Sequence, residues 1–128
     1  MIKQIKKIFN FWKKVLKIRG WKPTIVLAED LGESAAEVYT VDTSKEFTVL
    51  IDKNYNEDIK ELNHNILHEL IHVFLAPYVN YITDTLLFIK NNPNIKINYD
   101  KIFKQLKNRE EKIVEKLTKI LLEHINYT

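Results

Sequence analysis

The sequence predicts an α+β fold in which a small, mostly antiparallel β-sheet packs on a histidine-bearing helix. An amphipathic helix stands before the sheet and a helical half follows it. Two observations carry this expectation. Apolar residues recur at helical spacing at both ends of the chain, whereas TIVLA at 24–28, AEVYTV at 36–41 and EFTVLID at 46–52 are short runs rich in β-branched residues. With 128 residues, 45% of them hydrophobic and 29% charged, the chain suits one domain over 1–128 with a real core.

The first helix is expected over 2–19. Ile2, Ile5, Ile8, Phe9, Trp12, Val15 and Leu16 form its apolar stripe, the lysines lie mostly off it, and Gly20 suits its stop. In the third strand Phe47, Val49 and Ile51 alternate with Thr48 and Leu50, so both faces are partly apolar and need cover; DTSK at 42–45 reads as the turn of a hairpin. A second helix is expected from a cap at Asn56 or Asp58 to Ala76, with Pro77 as its stop and Ile59, Leu62, Ile66, Leu70, Val73 and Phe74 inward. Tyr78, Ile82, Leu86 and Ile89 suggest a third helix over 78–89, ended by NNPN at 91–94. A last helix from Tyr99 to Glu123 carries Ile102, Phe103, Leu106, Ile113, Val114, Leu117, Ile120 and Leu121.

Composition excludes several classes. Two Gly, three Pro and no Cys rule out collagen-like and disulfide-stapled chains, and any metal must be held by His, Asp or Glu. Residues 1–22 hold eight of the basic groups and no acid, which leaves an acidic body, so a nucleic-acid partner is not expected. No apolar run approaches a bilayer span and no secretory leader is evident, which suggests a cytoplasmic monomer. The basic N-terminal helix is expected to cover the sheet, with contact to an anionic membrane as the alternative.

The chemistry lies in His68-Glu69-Leu70-Ile71-His72. On a helix, His68 and His72 project one turn apart from one face, so both imidazoles can meet a single Zn²⁺. Glu69 sits about 100° round, where its carboxylate can act as general base on a zinc-activated water. The flanking Ile66, Leu67, Leu70, Ile71 and Val73 bury the helix, and buried polar groups need partners. A purely structural helix with hydrogen-bonded histidines is the competing reading.

A catalytic zinc needs a third ligand. The run after His72 lacks the Gly and third His of a metzincin. In the last helix Glu110 stands in the apolar stripe, seven residues after Phe103 and seven before Leu117, and is the expected ligand. Glu111 is held in reserve, and Asp84 and His124 are further alternatives. His64, one turn before His68, reads as a group near the cleft. Tyr78, Tyr81 or Tyr39 could donate to a developing oxyanion.

Strands, then HELIH, then a carboxylate helix is the order of zincin metallopeptidases, and with a downstream Glu the chain resembles a small gluzincin. It is similar to the minigluzincins and to small phage or prophage metallopeptidases. HELIHVFLAPY at 68–78, EEKIVEKL at 110–117 and TVLID at 48–52 carry the likeness. The resemblance implies His68, His72 and Glu110 or Glu111 as ligands of one Zn²⁺ per chain, Glu69 as base, and a peptide or specific protein as substrate. The long gluzincins have a second lobe for which this chain has no room. The alternative function is therefore a zinc-site binding or regulatory module with little or no hydrolysis.

Overall fold

The computed structural model describes residues 2–28, 36–41, 46–52 and 59–126. In chain order it contains α1 (Ile2–Val15), β1 (Lys22–Ala28), β2 (Ala36–Val41), β3 (Glu46–Asp52), α2 (Ile59–Lys90) and α3 (Tyr99–His124).

The expected fold class is corrected. The protein is built on three helices, and its described core is helix on helix: Ile5, Ile8, Phe9 and Trp12 of α1, Leu62, Ile66, Leu67, Leu70, Ile71 and Val73 of α2, and Val114 of α3. Only Trp21 joins them from outside a helix. The three strand stretches do form a sheet, but a small mixed one in the order β1-β3-β2. β3 pairs parallel with β1 and antiparallel with β2. The alternation of β3 on both faces marks it as the central strand. It does not tell which neighbour runs parallel, since that depends on where the intervening chain crosses. Lys22, Thr24 and Val26 of β1 are exposed. The turn expected at 42–45 and the caps at Asn56 and Asp58 lie outside the described residues.

In α1 the inward residues recur at positions 5, 8, 9 and 12, one continuous helical stripe, and all four are fully buried. The stripe packs mainly on α2, with a lesser contact to β1, rather than covering the sheet alone. The four buried residues of the stripe are taken up within the protein, and Val15 at its end is exposed. Among the described residues no helix is long and apolar enough to cross a membrane. The indole N–H of Trp12 donates to Oδ1 of Asn63 at 2.5 Å and pins α1 to α2. Asn63→Ala leaves that buried donor without an acceptor and should lower stability by about 1–3 kcal/mol, read from the midpoint of urea unfolding.

α1 ends earlier than its periodicity suggests. The Ile18 N–H bonds the Lys13 carbonyl and the Lys17 N–H bonds that of Lys14, so the chain closes as a Schellman turn with Lys17 in the left-handed position at φ 55°. Gly20, at φ 83°, follows the stop and does not make it. A side chain with a Cβ is disfavoured at that dihedral. Lys17→Gly should therefore raise stability by about 0.5–1 kcal/mol, measured by the same unfolding transition.

The expected second and third helices are one. Pro77 lies inside α2, where the ladder loses the N–H that would bond the Val73 carbonyl, and the helix nevertheless continues to Lys90. Beyond Pro77 the helix is largely outside the core: Tyr78 is 66% and Phe88 is 79% exposed. Ile59 and Phe74 on α2 and Ile102, Ile113 and Ile120 on α3, all expected to face inward, are exposed as well. A two-helix hairpin buries one stripe per helix, and these residues flank it. α2 stops at Lys90, before the expected NNPN turn. Asn98 caps α3, its side chain accepting from the Lys101 N–H at 3.2 Å.

Candidate metal centre

α2 and α3 run antiparallel, and across their interface two four-residue spacings face one another. His68 and His72 on α2 stand opposite Glu111 and Glu115 on α3. The spacing is the helical repeat itself, which keeps residues i and i+4 on one face. Ile66, Leu67, Leu70 and Ile71 lock α2 into the core around the histidines, and Val114 with Thr118 fixes α3. The Thr118 hydroxyl donates to the Val114 carbonyl at 2.7 Å and so brings no unmet polar group inside.

Both imidazoles are gripped in the same manner. His72 donates from Nδ1 to Oε2 of Glu110 at 2.6 Å, and His68 places Nδ1 2.8 Å from Oε1 of Glu115. A carboxylate at Nδ1 orients the ring and favours the tautomer whose Nε2 can ligate a metal. The two Nε2 atoms converge on one carboxylate: Glu111 Oε1 lies 2.7 Å from His72 Nε2, and Oε2 lies 3.5 Å from His68 Nε2. One ligand atom from each of His68, His72 and Glu111 falls within 4.8 Å of the others, so the three can hold a metal ion. The donor set fits: two imidazole nitrogens and one carboxylate suit a borderline-soft divalent cation.

Each residue singled out in the sequence has a definite place. Glu111, the reserve, is the carboxylate that reaches both Nε2 atoms, and its side chain is 58% exposed. Glu110, the first choice, does face inward as its position in the stripe suggests, with 11% of its side chain exposed, but it stands behind His72 on the Nδ1 side. Asp84 and His124 are exposed and do not join the group. His64 stacks on His68 with ring centroids 6.3 Å apart and stays outside the metal-capable set. Tyr78 and Tyr81 are strongly exposed and do not line the adjoining cavity, and the side chain of Tyr39 lies outside what is described.

Glu115 was not among the candidates. Its signal was available, because Glu111 and Glu115 repeat the spacing of His68 and His72 on a neighbouring helix.

Beside the three groups opens a cavity of about 360 Å³. On its α2 wall stand Glu69, His72, Val73, Ala76, Val79 and Asn80, and on its α3 wall Lys107, Glu110 and Glu111. Burial pushes the Glu69 carboxyl above its ordinary range, with His72 and His68 pulling it down and Glu111 pushing it up again. A carboxylate held in this way is a better proton acceptor than a free one, and it lines the same cavity as the metal-capable group. No protein-family model, no curated protein and no solved structure matches this chain, so the site stands on its own chemistry.

Proposed function

We propose that the protein is a zinc-dependent peptidase of gluzincin-type chemistry, with His68, His72 and Glu111 as the ligands and Glu69 as the general base. The observation that carries this reading is the convergence of both Nε2 atoms on Glu111 while each Nδ1 is tied to another carboxylate, with Glu69 lining the adjoining cavity. Bound Zn²⁺ supplies Lewis acidity, polarising a peptide carbonyl and lowering the pKa of a water to about neutrality.

The chain's own residues do the rest. Glu69 takes a proton from the water as its oxygen bonds the carbonyl carbon, then passes that proton to the amine nitrogen as the C–N bond breaks. Glu110 and Glu115 keep the two imidazoles in the ligating tautomer. Val73, Ala76 and Val79 offer a small apolar wall to the substrate's side chain.

The test is metal removal and return. Protein stripped by a chelator should lose hydrolysis of a peptide library, and one equivalent of Zn²⁺ should restore it; hydrolysis that persists in metal-free protein defeats the reading. A second reading, a zinc-site binding module, is favoured by the exposed Tyr78, Tyr81 and Phe88 along α2. It requires partner capture that Glu69→Gln leaves intact.

A further inference from the structure

We infer that Lys107 is the specificity residue of this site, and that the cavity takes a peptide placing a carboxylate about two residues from the bond that is cut. The inference rests on the peptidase reading above and names its substrate class. Among the described residues Lys107 is the one cation lining a cavity whose other charged groups are Glu69, Glu110 and Glu111, with His72 beside them.

Its ammonium is not consumed by the nearest acid. Oε2 of Glu110 is engaged by His72 at 2.6 Å, while Lys107 approaches Oε1 only to 3.5 Å, and 49% of the Lys107 side chain is exposed. An ammonium has three donors, and one long contact leaves it able to take another acceptor. The ammonium also lies 5.5 Å from the Phe103 ring centroid, which holds it at its end of the cavity.

Position along the helices sets the reach. Lys107 stands four residues before Glu111 on α3, about 6 Å along the axis at 1.5 Å per residue, and an extended peptide covers that in about two residues at roughly 3.3 Å each. Asn80, two turns beyond His72 on α2, lines the same cavity and offers a carboxamide donor. Val73, Ala76 and Val79 line the same cavity from α2 and bring no charge to it. A peptide C-terminus or an Asp or Glu side chain would supply the same carboxylate.

Three probes separate these cases on zinc-loaded protein by titration calorimetry: hydroxamoylacetyl-alanine with a free carboxylate, the same compound as its amide, and the amide with aspartate in place of alanine. At least one of the two carboxylate probes should bind about five- to tenfold more tightly than the neutral amide, and the tighter one identifies the source. Lys107→Met should abolish that preference without changing the affinity for the amide, and Lys107→Arg should keep it. Equal binding of all three probes, or a preference that survives Lys107→Met, overturns the assignment of Lys107 while leaving the zinc site intact. Failure of the protein to load zinc overturns instead the reading on which the assignment rests.

Discussion

Glu69→Gln is expected to lower the rate of peptide hydrolysis by about 10²–10⁴-fold while zinc stays bound at one per chain. The amide keeps the size and burial of the carboxylate but cannot accept the proton of the attacking water. Glu69 is not one of the three groups that can hold the metal, so metal content should not fall. The measurement is a pair: zinc by mass spectrometry of the digested protein, and turnover of a peptide that the wild type cleaves. Turnover at the wild-type rate would remove Glu69 from the chemistry, and loss of zinc would recast it as a ligand. Because burial raises the carboxyl pKa of Glu69, removing its charge also relieves a desolvation cost. The metal-free variant should therefore be no less stable than the metal-free wild type at neutral pH, which guards against misreading lost activity as lost fold.

Glu111→Ala is expected to abolish zinc retention during dialysis against a weak chelator, whereas Glu110→Ala and Glu115→Ala should each weaken affinity about 10–100-fold. The difference follows from which ring nitrogen each carboxylate meets. Glu111 stands at the Nε2 atoms, where a metal would be held, and its loss would leave two ligands. Glu110 and Glu115 stand at Nδ1, and their loss frees tautomer and ring orientation but leaves three ligands. Competition against a chromogenic chelator measures all three variants on one scale. Equal affinities for Glu111→Ala and Glu110→Ala would mean that the two carboxylates exchange roles when the metal enters.

Much of the site was legible because helical periodicity is a statement about faces. It put His68 and His72 together, turned Glu69 aside, and marked Glu110 as a carboxylate on an apolar stripe. It could not choose between Glu110 and Glu111, since neighbouring residues differ by about 100° and both flank the interface. The choice depends on the axial register of α3 against α2, which the packing of Val114 and Thr118 sets.

The strands were legible from β-branched runs, and the antiparallel β2–β3 pair from the short connection between them. The parallel β1–β3 pair was not, because pairing partners far apart in sequence leave no local trace. Pro77 misled for an energetic reason. A proline inside a helix costs about 3 kcal/mol locally, and a 32-residue helix packed against a neighbour absorbs that cost where an isolated peptide would not.

The two helices that carry every group of the candidate centre are consecutive in the chain, joined by the short turn between Lys90 and Tyr99. From His68 to Glu115 the centre lies within this one helical hairpin. His72 and Glu110 are 38 residues apart, farther than the β1 and β3 partners, but once α2 and α3 stand only the turn between them has to close. The centre thus shares no residue with the sheet, while α2 also carries the buried face that α1 packs on. An ion bound between the two helices would favour the closed hairpin over the open one by mass action, and with it the surface on which α1 docks.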